Sequence, residues 1–173
     1  ALDRSVNEFG IRDTGKILDK TRELVTQTFE KSAEMVNDGM DISLLALSLN
    51  PTSPGKIQWS GANNGLWMIR NGELTEIKPD KQPIGRFDHS KTFTSHQLEF
   101  QKGDWLYIFT DGYADQFGGI KGKKFKYSKL KEKLVELSQV SADEQLLQLN
   151  QLILEWRGDL EQVDDICILG IRL

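Results

Sequence analysis

Residues 106–119 read LYIFTDGYADQFGG. Leu106 to Thr110 suit a buried strand, being aliphatic, aromatic and β-branched, and the run stops at Asp111-Gly112 with a further acid, Asp115, one turn on. Asp-Gly is also a common chain-reversing turn, and taken alone the stretch reads equally well as that. Near the C-terminus the order inverts: Asp164-Asp165 opens the apolar segment ICILGIRL, residues 166–173. If the two strands pair antiparallel, Asp111 and Asp164 fall at one edge of one sheet, where their carboxylates repel. A proton or a cation relieves such crowding, and Mg²⁺ or Mn²⁺ are the hard ions that prefer carboxylate oxygen and water.

With 173 residues the chain suits one domain, residues 1–173, with a core of its own. Charged residues make up 28% and hydrophobic ones 38%, the balance of a globular rather than a disordered protein. A net charge of -4 argues against a general nucleic-acid binder. The single cysteine rules out an internal disulfide, and no apolar run approaches the roughly 20 residues of a membrane span.

Hydrophobic spacing predicts a helix over 14–33, capped by Asp13, with residues 1–9 as the end of an earlier helix. Residues 42–49, ISLLALSL, are apolar on both faces and read as a central strand covered on both sides. Strands follow at IQWSGA and LWMIR, with Gly61–Gly65 between them as a hairpin loop. Asn71-Gly72 then turns the chain into ELTEI, and HQLEF precedes DWLYIFT. Ser128 suits the cap of a helix to about 138. Ser141 and Glu144 form a capping box for another, closed by Gly158, whose apolar stripe is Leu146, Leu149, Ile153 and Trp156. Six or seven strands, mostly in hairpin order with helices outside, make an α+β layered domain.

Several chemistries fall away on spacing. Cys167 sits within an apolar strand and reads as core rather than nucleophile. GGIKGKK has its glycines too close and no Ser or Thr after the lysine, so it is not a phosphate loop. His89 and His96 lack companions at zinc-ligand spacing. The lysines that begin at Lys121, Lys123 and Lys124 read as a solvated surface, or as a local positive patch that draws a phosphorylated partner to an acidic site. Asp38 and Asp41, before the first strand, suit a cap, a turn or outer-shell groups.

In this order the blocks NDGMDISLLALSL, SGANNGLWMIRNGEL with KQPIG, GDWLYIFTDGYADQFGG and EWRGDLEQVDDICILGI resemble the SpoIIE/RsbU branch of the PPM protein phosphatases, relatives of the type 2C enzymes. The resemblance implies an αββα sandwich of mostly antiparallel strands with two Mn²⁺ or Mg²⁺ ions at one end. It makes Asp111 and Asp164 metal ligands, with Asp165 and Asp115 as groups that orient them, while Gly112, Asp38 and Asp41 stand beside these as further candidates for the metal or its outer surroundings. The implied substrate is phosphoserine or phosphothreonine on a regulatory protein such as an anti-sigma factor antagonist. An upstream sensory domain is implied too, and a cytoplasmic setting, which includes the cytoplasmic side of a membrane-bound sensor.

The family carries, before the helix at 14–33, a D-x-[TS]-G-H-G block whose aspartate bridges both metals, and these 173 residues hold no such block. The chain therefore reads as an N-terminally incomplete family domain. It is expected to bind metal weakly and to turn over little by itself, with an open sheet edge that favours a homodimer. The competing expectation is a partner-binding domain that keeps the fold without catalysis.

Overall fold

A computed structural model describes residues 1–30, 39–47 and 56–173. After a π-helical turn at Arg4–Glu8 come α1 (Thr14–Glu30), β1 (Ile42–Leu47), β2 (Lys56–Ala62), β3 (Leu66–Arg70), β4 (Glu73–Ile77) and β5 (His96–Glu99). Then follow β6 (Trp105–Phe109), α2 (Gly112–Asp115), β7 (Phe117–Gly118), β8 (Lys123–Lys124), α3 (Tyr127–Leu137), α4 (Ala142–Arg157) and β9 (Ile168–Arg172). The chain divides into two compact units: Ala1–Leu66 with Lys78–Gln101, and Trp67–Ile77 with Lys102–Leu173.

The first unit holds a three-stranded antiparallel sheet in the order β1-β2-β5, with Leu45 opposite Trp59 and Trp59 opposite His96. Among the described residues β1 is therefore an edge strand, half-buried throughout, and not the central strand its apolar run suggested. The centre belongs to β2, whose Ile57 and Trp59 are fully buried. Apolarity on both faces reports burial, and it does not report how many strands lie alongside. Residues 61–65 do not close a hairpin either, because β2 and β3 belong to different sheets. Their backbone groups bond to Asp80 instead: Asp80 N donates to Gly61 O (3.0 Å) and Asn63 N to Asp80 O (2.9 Å).

Asp13 caps α1 as expected, its Oδ1 accepting from Lys16 N at 3.0 Å and from Ser95 Oγ at 2.6 Å. Residues 31–33 of the expected helix lie outside the described residues. Ile17, Leu18 and Leu24 face the core, and Thr14 Oγ1 meets Ser60 Oγ of β2 at 2.8 Å. The Ser95 hydroxyl and the Lys16 amide hold the Asp13 carboxyl below its ordinary value of 3.8. Its folded pKa is depressed, so its stabilisation is present above that ordinary value and lost as pH falls through the lower one. Asp13→Ala is expected to cost about 1 kcal/mol at neutral pH. That gap from wild type should close when urea melts are repeated well below pH 3.8.

The second unit holds a four-stranded sheet in the order β4-β3-β6-β9. β6 is the buried strand foreseen at 106–110, and it pairs antiparallel with β9 through Tyr107↔Gly170 and Phe109↔Ile168. Trp67, Trp105, Tyr107 and Phe109 pack with Leu130, Leu134 and Leu137 of α3 and Leu149 and Ile153 of α4. α3 begins one residue before Ser128, after Lys126 at φ 79, so Ser128 lies within its first turn and is not the cap. Ser141 does cap α4, accepting from Glu144 N at 3.2 Å, and Gly158 ends it at φ 56. Leu149, Ile153 and Trp156 of the expected stripe do pack on the core, but Leu146 is 68% exposed, and the adjacent Gln145 is buried in its place and accepts from Tyr107 Oη at 2.8 Å. A purely apolar reading passes over a glutamine that a buried phenol requires as its partner. Cys167 is exposed rather than core, because it precedes β9 at the sheet's end.

Asp104, 3% exposed at its side chain, takes a forked pair of bonds from Arg70, with Nη2 to Oδ2 at 2.7 Å and Nε to Oδ1 at 3.0 Å. Asp104→Ala strips the guanidinium of that carboxylate and is expected to cost about 3 kcal/mol in urea unfolding. A loss below about 0.5 kcal/mol would show that the pair contributes nothing.

Candidate metal centre

Where β6 and β9 run out together, Thr110 ties their ends. Its amide donates to Cys167 O (3.0 Å), its Oγ1 donates to Asp165 O (2.7 Å), and Cys167 N donates back to that Oγ1 (2.9 Å). Asp111 follows at once and forms the N-terminal cap of α2, with its carbonyl accepting from Asp115 N at 2.9 Å. Its carboxylate makes no capping bond and is exposed. Gly112 is buried against the opposite turn. A Cβ there would stand 2.4 Å from Asp165 O and 3.2 Å from Asp164 O, so only glycine allows the two turns to touch.

Across that contact Asp164 and Asp165 are both exposed. Asp164 Oδ1 accepts from Asp165 N at 2.7 Å, and its carbonyl accepts from Gln162 Nε2 at 2.8 Å. The structure thus brings Asp111, Gly112, Asp164 and Asp165 to one sheet end within the second unit. Asp115, one turn along, is held by Lys124 Nζ at 2.9 Å, so β8 closes over it with a lysine. Lys121 and Lys123 are exposed on the same hairpin. Asp41 lies in the first unit, where Asn63 Nδ2 donates to it at 2.8 Å, and Asp38 lies outside the described residues.

Gln116 is a supporting residue that sequence reading missed. It is fully buried, and its amide donates to Glu161 O (2.9 Å) and accepts from Val163 N (3.4 Å), fastening the segment that leads into Asp164. Its only signal was its place directly after Asp115. Behind it Tyr113 Oη donates to Leu149 O at 2.8 Å, and burial pushes that phenol above its ordinary pKa of 10.0.

The donor chemistry at this edge is carboxylate oxygen, which fits a hard divalent cation, and such cations commonly keep one or two carboxylates with water and phosphate completing the shell. Among the described residues no three acids, histidines or cysteines gather as a metal-binding group. Asp111 and Asp164 therefore suit part of a coordination shell.

The chain is similar to several solved structures. Over 100% of its length it superposes on the SiaA-PP2C domain of Pseudomonas aeruginosa, with a TM-score of 0.86 and 25% identity, and spans 66% of that chain, just under two thirds. It also matches the phosphatase domain of the cell fate determinant SpoIIE from Bacillus subtilis (TM-score 0.58, 13% identity, 99% of this chain and 70% of that one). A third match is the catalytic domain of the serine/threonine protein phosphatase PstP in complex with 2 manganese ions (TM-score 0.64, 14% identity, 98% and 76%). Among curated proteins none matches. The mixed helices and antiparallel sheets are those of the PP2C-type fold. The family model for Stage II sporulation protein E covers residues 7–173, and with the fold in agreement the chain belongs to the SpoIIE family.

Proposed function

We propose that this chain is part of a metal-dependent protein serine/threonine phosphatase, with Asp111 and Asp164 as ligands to Mn²⁺ or Mg²⁺. The supporting observation is the backbone contact of Gly112 with Asp164 and Asp165, which sets the two acid-bearing turns against each other. A divalent cation there supplies Lewis-acid charge to a phosphoryl group and acidifies water. The chain's own part is to hold the carboxylates still. Thr110 and Gln116 fasten the two turns by hydrogen bonds, so the site stands on strand ends rather than on free loops. Asp165 and Asp115 orient this shell, Asp115 through Lys124, while Lys121 and Lys123 offer charge to a phosphorylated protein.

On this reading residues 1–173 belong to one phosphatase domain acting on a regulatory phosphoprotein in the cytoplasm under an upstream sensor. No helix among the described residues is long and apolar enough to cross a membrane. The second reading, a partner-binding domain without catalysis, is favoured by the lack of a three-residue ligand cluster among the described residues. Hydrolysis of a phosphoserine peptide, measured with and without Mn²⁺ and beside Asp111→Asn, separates the two. Turnover that needs Mn²⁺ and vanishes in the variant supports the phosphatase. Turnover indifferent to both Mn²⁺ and the variant overturns the assignment of Asp111, and no turnover in either protein would mean that catalysis needs residues beyond these 173 or that the chain works by binding alone.

A further inference from the structure

Residues 116–131 carry six lysines and no acid, in a chain whose net charge is -4. Lys124 is paired with Asp115 and Lys131 with Glu76, whereas Lys121, Lys123 and Lys126 are exposed and enter no ion pair among the described residues. Among these lysines the β7–β8 hairpin holds out an apolar tip, Ile120, which is 108% exposed. One exposed aliphatic side chain on a loose loop asks for no explanation, but this tip is pinned. Gly122 N donates to Gly119 O at 3.1 Å across a turn whose two glycines both have positive φ. Gly119 N donates to Trp156 O at 2.7 Å, a Cβ on Gly118 would collide with that same carbonyl, and Trp156 Nε1 donates to Gln116 O at 3.1 Å. The last turn of α4 therefore fixes the hairpin, and the Lys124–Asp115 pair ties it to the acid-bearing turn after β6.

We propose that this hairpin is the surface on which the partner protein docks, and that the segment it accepts is acidic and carries an aliphatic side chain. The carboxylates of that segment meet Lys121, Lys123 and Lys126, and its aliphatic group covers Ile120. The inference rests on the phosphatase reading, in which a phosphoserine of the same segment lies at the metal edge, and it names the substrate class: a phosphorylated residue with acids beside it. Charge supports this occupant, because the exposed Asp111, Asp164 and Asp165 repel an acidic segment and a positive surface close by offsets that repulsion. The same acids count against a lipid bilayer. An anionic membrane that met the hairpin would also meet the carboxylates at its base, and a single aliphatic tip gives it little area to bury.

Binding measured in EDTA keeps turnover out of the test. Two fluorescein-labelled peptides would each carry phosphoserine and leucine, one flanked by glutamates and the other by glutamines. Fluorescence anisotropy is expected to show the acidic peptide bound about tenfold more tightly at low salt, the sum of a few exposed ion pairs, with the preference fading at high salt. Lys121→Glu with Lys123→Glu is expected to erase the preference, and Ile120→Ser to weaken both peptides about threefold. All three side chains are exposed, so the core is untouched. Lys56→Glu with Lys102→Glu makes the same change of net charge at exposed lysines elsewhere and is expected to keep the preference. No preference in the unaltered protein, or an equal loss in both double variants, overturns the docking surface. So does binding to phosphatidylserine vesicles that Ile120→Ser abolishes while the two peptides go undistinguished, which would give the tip to a lipid surface. The two readings fail separately: Mn²⁺-dependent turnover without the preference keeps the phosphatase and overturns the docking, whereas the preference without turnover keeps the docking on a binding domain.

Discussion

Gly112→Ala is expected to lower the unfolding free energy by about 2–3 kcal/mol and to weaken Mn²⁺ binding about tenfold or more. The new methyl would stand 2.4 Å from Asp165 O, and that atom is backbone, so no rotamer can swing it aside. Moving Asp165 away stretches its bond from Thr110 Oγ1, now 2.7 Å, and with it the paired ends of β6 and β9. Gly72→Ala is the control. Gly72 sits at φ +80 with nothing within 4 Å of a Cβ, so that change tests positive-φ strain alone and should cost about 1 kcal/mol without affecting metal. Urea melts and Mn²⁺ titrations of both variants give the comparison. A Gly112→Ala protein as stable as the unaltered one would mean that the two turns do not touch as described.

Asp111→Asn and Asp164→Asn are expected to do the opposite, with little change in the metal-free fold and a large loss of binding. Both side chains are exposed, so each substitution should shift stability by no more than about 0.5 kcal/mol. The effect appears when Mn²⁺ is added: at a hundredfold excess over Kd the unaltered chain gains about 2.7 kcal/mol by linkage, and each variant should lose most of that gain. Asp115→Asn serves for contrast, since it removes an exposed pair with Lys124 worth about 0.5 kcal/mol and should cost less affinity than either ligand. Equal Mn²⁺ stabilisation in all four proteins would remove Asp111 and Asp164 from the ligand set.

Local signals in the sequence carried this protein a long way. An apolar run ending in Asp-Gly and a second beginning after Asp-Asp marked two strands that would meet at their acids if they paired antiparallel, and Phe109↔Ile168 shows that they do. Ser141 with Glu144, Gly158, and Asp13 before α1 announced helix ends, because capping is a chemistry of neighbours a few residues apart. Only the tertiary structure decided which strand takes a centre and which an edge, as with β2 over β1, because partner count depends on segments distant in sequence. It alone turned the Gly61–Gly65 loop from a hairpin into a passage between sheets, and set Gln145 in place of Leu146 against Tyr107. It also revealed Gln116, whose amide is spent on Glu161 and Val163, some 45 residues on. A polar side chain of that kind has no periodicity to betray it, since its position is fixed by a buried hydrogen bond to a segment that only folding brings near.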